Sequence, residues 1–247
     1  MESSCALPNI LVTGGSRGIG LAIVKQLAGV GYSVIATARS ESAELRQVIA
    51  AAEPGAIRFK ALDMKAIETF PAFVRDLRRE VGPVYGLVNN AGIGTAGVLA
   101  TMYESQIAEL LRINVEAPMV LTKYIVRHMM ADGAGRVVNM GSIVGSTGYN
   151  ALSVYGATKA ALEGFSKSLA REVGRLGITV NVVAPGFVNT ELTKGLDDEN
   201  RDKIARRSAL RRLAEADDVA RMVEFLMGEG GRNITGTVLT VDAGNTA

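Results

Sequence analysis

The chain of 247 residues is 48% hydrophobic and carries 27 lysines and arginines against 25 acidic residues, a formal net charge of +2. That length can bury a sizeable core, and the balance of interspersed charges excludes a broad nucleic-acid footprint. One cysteine, Cys5, excludes an intramolecular disulfide framework; Met1–Cys5 lacks the features of a secretory signal, and no apolar run reaches the roughly 18–20 residues that span a bilayer, so a cytoplasmic protein off the membrane is expected.

The first β-type run, Asn9–Thr13, enters Gly14-Gly15-Ser16-Arg17-Gly18-Ile19-Gly20 and leaves as a helix near Ile19–Ala28. Glycines let a backbone approach a ligand closely, and a helix start offers free N–H groups and a positive dipole end, so this turn suits a nucleotide pyrophosphate. Its spacing is Gly-x-x-x-Gly-x-Gly. Strands then follow at Ser33–Ala38, Ala56–Leu62 and Val84–Asn89, separated by helices near Ser42–Ala52 and Ile67–Glu80. A long helix is expected at Ser105–Met130, a strand at Arg136–Met140, a helix at Tyr155–Arg175, a strand at Thr179–Ala184, a helix at Ala216–Met227 and a last strand at Val238–Val241. Several strands are continuous Val, Ile and Leu runs, which indicates a parallel sheet covered on both faces. Right-handed crossovers make this a single α/β domain over 1–247: a seven-stranded, mostly parallel, doubly wound sheet with helices on both faces. Ligands bind such sheets beyond the carboxyl ends of the strands. That rule picks out Arg39, Asp63, Asn89-Asn90-Ala91-Gly92, Ser142 and Pro185-Gly186.

Tyr155 and Lys159 stand four apart, which on a helix puts phenol and ammonium on one face. The positive charge is expected to pull the phenol pKa below its ordinary value of about 10 and let it pass protons near neutral pH. A serine hydroxyl at Ser142 can hydrogen-bond a carbonyl oxygen as it gains charge, so the three suit carbonyl reduction or alcohol oxidation. Taken alone, a Tyr-x-x-x-Lys pair is as well an ordinary helix face. His128 near a helix end reads as a surface or capping residue, the methionines as core filler, and Arg206-Arg207 and Arg211-Arg212 as solvated helix faces. One histidine and one cysteine cannot build a zinc cluster, and no metal is expected.

Thr13–Gly20, Asn89-Asn90-Ala91-Gly92, Asn114, Ser142, the Tyr155 and Lys159 pair, and Pro185-Gly186 together resemble the short-chain dehydrogenase/reductase family over nearly the whole chain. Within it, Gly164–Val173 and Gly177–Phe187 are similar to the 3-oxoacyl-[acyl-carrier-protein] reductases of fatty acid biosynthesis. The resemblance implies a Rossmann-type fold and NADP(H)-dependent reduction of a ketone to a secondary alcohol. Tyr155 would donate a proton to the substrate oxygen and Ser142 would orient that oxygen. Lys159 would lower the tyrosine pKa and bind cofactor ribose, and Asn114 would hold a water joining Lys159 to solvent. Asn114 alone reads as well as a satisfied polar group inside a helix. Gly14, Ser16, Arg17, Gly18, Ile19 and Gly20 would cradle the phosphates. Asp63 and Met64 would flank adenine, Asn90, Ala91 and Gly92 would line the adenosine ribose, Val188 and Thr190 would reach the nicotinamide end, and Pro185 and Gly186 would also contact the cofactor. Strand Ser33–Ala38 ends in Arg39 with no acid, and Arg17 stands in the glycine loop. A guanidinium suits a 2′-phosphate where a carboxylate suits a bare ribose, so NADP is expected over NAD.

The substrate is less sharply marked. Residues 189–212 resemble the family's substrate lid. Arg171, Arg175 and the lid arginines could steer an acidic acyl carrier protein. Asp132-Gly133-Ala134-Gly135 lacks the basic residues common in carrier-protein reductases, Ile93–Val98 departs from their polar pattern, and Asp242-Ala243-Gly244 replaces a common double glycine. A related enzyme of another ketone or secondary alcohol is therefore the alternative, and a non-catalytic nucleotide-binding module the remote one. The resemblance also implies a homotetramer, packed through Ser105–Met130 and Tyr155–Arg175.

Overall fold

In the computed structural model, which describes residues 8–188 and 198–247, the described strands form one seven-stranded sheet in which every neighbouring pair is parallel. They are β1 Asn9–Thr13, β2 Ser33–Ala38, β3 Ile57–Ala61, β4 Val84–Asn89, β5 Gly135–Met140, β6 Ile178–Pro185 and β7 Val238–Val241. Their spatial order is β3-β2-β1-β4-β5-β6-β7. The chain winds outward from β1 to β3, then returns to β4 on the other side of β1, so the order reverses between β1 and β4. Loops leaving those two strands diverge and open a crevice at their carboxyl ends.

The expected strands and most helices are present. The helices are α1 Gly18–Gly29, α2 Ala43–Ala51, α3 Phe70–Val81, α4 Glu104–Leu111, α5 Ala117–Asp132, α6 Ser153–Val173, α7 Asp198–Arg207 and α8 Ala216–Met227. Helix α2 starts where the Ser42 hydroxyl accepts from Leu45 N at 3.0 Å. Helix α3 turns Phe70, Val74 and Leu77 inward at helical spacing. On one face of the sheet, Ile23 and Leu27 of α1 and Val223 and Leu226 of α8 pack on Val12, Val88 and Val138. On the other, α3, α5 and α6 cover Leu11, Leu87, Val137 and Val180. Strands β5 and β6 are buried along their whole length, which is why valines stand at consecutive positions there instead of strictly alternating with polar residues.

Two departures from the sequence expectation bear on the site. The long helix expected at Ser105–Met130 is broken: Arg112–Glu116 forms a π-helical turn between α4 and α5. Pro118 sits in the first turn of α5. It has no N–H to give the carbonyl four residues back, that of Asn114, so the ladder shifts register there. The other departure is α7, in the segment read as lid. Its sequence, Asp-Glu-Asn-Arg-Asp-Lys-Ile-Ala-Arg-Arg, has almost no apolar stripe to announce a helix. Among the described residues no helix is long and apolar enough to cross a membrane.

A buried polar chain ties β4, α5, β5 and α6 together. Asn89 Nδ2, at the end of β4, donates to Thr122 Oγ1 of α5 at 2.8 Å and to Asn139 Oδ1 of β5 at 2.7 Å. Asn139 Nδ2 donates to Ser166 Oγ of α6 at 2.8 Å. Each such bond adds about 1 kcal/mol net, but losing one partner would strand a fully buried amide, so the set fixes α6 on the sheet.

Candidate active site

Beyond the strand ends lies a cleft of about 790 Å³. Gly14, Ser16, Arg17, Gly18, Ile19, Gly20, Arg39, Asp63, Met64, Asn90, Ala91, Gly92, Ser142, Tyr155, Lys159, Pro185, Gly186 and Val188 all line it. Of the other candidates, Asn114 lies behind the wall, 1% exposed, and Thr190 falls outside the described residues. Thr37, Lys65, Ile93, Gly94, Glu109, Ile113, Met140 and Gly141 line it too, and the sequence reading did not single them out as site residues. Several directly follow or precede residues it did name. Glu109 and Ile113 come from the helix whose break was not foreseen.

At one end the glycine loop has little freedom. Gly14 has φ +65°, and a Cβ on Gly20 would stand 2.1 Å from the Gly14 carbonyl oxygen. A side chain at position 20 therefore requires the loop to move. Asn90 fastens that loop to β4: its Nδ2 donates to the carbonyls of Thr13 at 2.9 Å and Gly14 at 3.1 Å. Thr13 Oγ1 accepts from the N–H groups of Asn90 and Ala91, both at 3.0 Å. The Asn90 amide thus serves the loop's shape, and its lining role comes from the rest of the residue. On the far side, Ser42 Oγ donates to Ser16 O at 2.6 Å. The N–H groups that open α1 lack acceptors within the helix, an arrangement that suits an anion.

Arg17 and Arg39 are exposed at this end. The nearest acid after β2, Glu41, pairs with Arg46 at 3.3 Å. Asp63 Oδ1 accepts from Lys65 N at 2.9 Å. Lys65 in turn is ion-paired to Glu109, and Arg112 Nε donates to the Lys65 carbonyl at 3.0 Å, so the π-turn also braces the loop after β3. A glycine-walled phosphate cradle, two exposed guanidiniums and no free carboxylate after β2 fit a dinucleotide with a phosphorylated ribose.

At the other end β5 delivers Ser142 and α6 delivers Tyr155 and Lys159. Ser142 Oγ accepts from Val144 N at 3.3 Å, capping a single 3-10 turn, Ile143–Gly145. Lys159 Nζ donates to the Met140 carbonyl at 2.9 Å and stands 5.6 Å from the Tyr155 ring centre. Asn114 is clamped. Its Nδ2 donates to Ile93 O at 2.8 Å and Thr158 Oγ1 at 3.2 Å, and its Oδ1 accepts from Ile93 N at 2.9 Å. Thr158 Oγ1 donates to Tyr155 O at 2.7 Å, so Asn114 joins the loop after β4 to α6. A Cβ on Gly92 would lie 3.2 Å from Asn114 Oδ1 and 3.6 Å from Lys159 Nζ, which places that glycine between the two side chains.

The charge state corrects one expectation. Burial pushes the Tyr155 phenol above its usual value, with the Ser142 contact pulling the other way. Burial also lowers Lys159 to about 8. Spacing had correctly made neighbours of the two, but it says nothing of desolvation, which here is the largest influence on the phenol. At neutral pH the phenol is therefore a proton holder, the state a donor needs.

The sequence model of the family described as short chain dehydrogenase matches residues 8–201. The 3-oxoacyl-[acyl-carrier-protein] reductase FabG of Haemophilus influenzae is 41% identical over 235 residues, covering 95% of this chain and 96% of that protein. Among solved structures, ElxO with NADP bound is similar at a TM-score of 0.90 and 32% identity, over 97% of this chain and 98% of that one. A gluconate 5-dehydrogenase from Burkholderia cenocepacia, in complex with NADP and tartrate, superposes at a TM-score of 0.92 and 28% identity, over 97% and 95%.

Proposed function

Because the chain belongs to the short-chain dehydrogenase family, we propose that it reduces a 3-oxoacyl thioester, carried by acyl carrier protein, to the 3-hydroxyacyl product with NADPH. The observation that carries this reading is the gathering of Ser142, Tyr155 and Lys159 at one end of a cleft whose other end presents the glycine loop, Arg17 and Arg39. NADPH would lie along that cleft and supply the hydride. The Ser142 hydroxyl donates a hydrogen bond to the substrate oxygen as it becomes an alkoxide. Tyr155 gives that oxygen a proton. Lys159, mostly charged at neutral pH, stabilises the phenolate left behind and reaches the ribose hydroxyls. The Asn114 side chain is committed to Ile93 and Thr158, so the water it would hold belongs to its backbone carbonyl, which Pro118 deprives of its helical partner.

Fatty-acid carrier chemistry rests on the similarity to the FabG enzyme and has one observation against it. Asp132, where basic residues would greet an acidic partner, is bound bidentately by Arg78 at 2.7 Å for both bonds, and this pairing holds its pKa below the ordinary range. The likeness to a gluconate 5-dehydrogenase favours, as the second reading, another ketone or secondary alcohol. Initial rates separate the two. NADPH consumption with a short 3-oxoacyl thioester well above that with simple ketones supports the first, and the reverse order supports the second.

Arg39 should set cofactor choice. A charge-assisted contact to the 2′-phosphate contributes roughly 1.5–3 kcal/mol, so Arg39→Asp should raise the KM for NADPH by about tenfold to a hundredfold and narrow the gap to NADH. An unchanged ratio of kcat/KM for the two cofactors would remove Arg39 from this role. We also infer a cytoplasmic homotetramer built on α4–α5 and α6, where Leu111 and Met130 are 46% and 45% exposed. Light scattering should give four times the chain mass of 26.0 kDa, and a monomer at micromolar concentration would overturn that assembly.

A further inference from the structure

The loop from Ser142 to Tyr155 carries both groups that would address the substrate oxygen, and much of what holds it comes from far away in the chain. Ser146, Gly148 and Asn150 are exposed, so the loop buries little of its own. On one side Ala151, in the left-handed region at φ 61°, offers its carbonyl to Gly97 N at 2.9 Å. Besides the packing of Val144 and Gly145 on α6, Tyr149 makes further attachments. Its ring packs edge-on against Phe187, with centroids 5.5 Å apart and planes at 66°, and Phe187 follows the cleft residues Pro185 and Gly186. Its hydroxyl donates to Asn245 Oδ1 at 3.0 Å, and Asn245 Nδ2 donates to Ser208 Oγ at 3.2 Å.

Those partners are themselves fixed. Ala209 N and Leu210 N donate to the carbonyls of Gly244 and Ala243 at 3.1 and 3.0 Å. Asp242 accepts from Gly244 N at 2.8 Å and Thr246 N at 2.9 Å, and Gly186 N donates to Val241 O at 2.9 Å. One tyrosine thus joins the Ser142–Tyr155 loop to the residues after β6, after α7 and after β7. It is not among the residues lining the cleft, so it acts through others.

We propose that Tyr149 is a positioning residue for the reaction: through Phe187 and Asn245 it holds the loop that places Ser142 and Tyr155 against the substrate oxygen. Misplacing a reacting group by about 1 Å can lower a rate by about a hundredfold. The proposal rests on the catalytic reading of Ser142 and Tyr155, and it is independent of which ketone is the substrate.

The test is a mutant cycle on the full chain, with rates expressed per NADPH-binding site. Tyr149→Ala should lower kcat by roughly ten- to a hundredfold, and Tyr149→Phe, which keeps the ring on Phe187, by only about three- to tenfold. NADPH Kd should stay within about twofold for both, since the dinucleotide end is untouched. Asn245→Ala should match Tyr149→Phe, and the double variant should be no slower than either single one, because both remove the same bond. Wild-type kcat per site in Tyr149→Ala, or losses that multiply in the double variant, would overturn the proposal. If Tyr149→Ala does not fold, the Tyr149→Phe and Asn245→Ala cycle decides alone. Should the wild type reduce a simple ketone but not the thioester, the substrate assignment fails, and the same cycle run on that ketone still decides the role of Tyr149.

Discussion

Tyr155→Phe should lower kcat by about 10²–10⁴-fold, the span general acid catalysis contributes, while NADPH affinity stays within a few fold. The phenol is poised for one task. It is half-buried, desolvation raises its pKa, and at neutral pH it holds the proton that the proposed alkoxide would need. The substitution removes one oxygen and keeps the ring, so packing on α6 survives. Ser142 remains to polarise the carbonyl, but no other described proton donor sits on the cleft floor beside it except Lys159, whose Nζ is turned to the Met140 carbonyl. Turnover within threefold of wild type would remove Tyr155 from its role. Loss of NADPH binding along with turnover would show instead that the phenol oxygen chiefly holds the cofactor.

Lys159→Met should cut turnover by a comparable factor, about a hundredfold or more, yet make the cofactor-free protein more stable at pH 7. Burial drops the ammonium pKa from 10.5 to about 8, which means the fold is bearing the desolvation of a cation. Below pH 8 both folded and unfolded chains hold the proton, and the full penalty, of order 3 kcal/mol at 1.36 kcal/mol per pKa unit, is present. Between 8 and 10.5 the folded chain has released the proton while the unfolded one keeps it, so stability rises with pH. Above 10.5 the penalty is gone. Methionine has similar length and no charge, but it leaves the Met140 carbonyl without its donor, which offsets about 1–3 kcal/mol of the relief. The net gain at pH 7 should be of order 1 kcal/mol, and the rise in stability between pH 8 and 10.5 should flatten. A variant less stable than wild type at pH 7, or a wild type whose stability does not rise across that window, would contradict the assigned burial.

The sheet was legible because its central strands are buried on both faces, so Ile10–Val12 and Val137–Val138 stand out against polar flanks. The glycine loop was legible because close backbone approach admits only glycine at Gly20. Other features left weaker marks. The break at Asn114 was signalled only by Pro118, whose effect on a helix depends on whether the register can slip. Helix α7 has too few apolar residues to show a period. Tyr155 and Lys159 could be paired by spacing, but the sign of the phenol shift depends on burial, a property of the packed molecule. The link from Tyr149 to Asn245 crosses 96 positions, and that from Asn245 to Ser208 crosses 37, beyond any local pattern. Spacing within one element carried the chemistry into the sequence; contacts between elements decided its electrostatics and its support.

The most direct test mixes pure wild-type protein and Tyr155→Phe separately with NADPH and a short 3-oxoacyl thioester, following absorbance of the reduced nicotinamide. The wild type should oxidise NADPH in step with formation of the 3-hydroxyacyl product, and the variant should bind NADPH without consuming it. NADPH bound by the wild type but left unoxidised with the thioester and across a ketone panel would contradict the account.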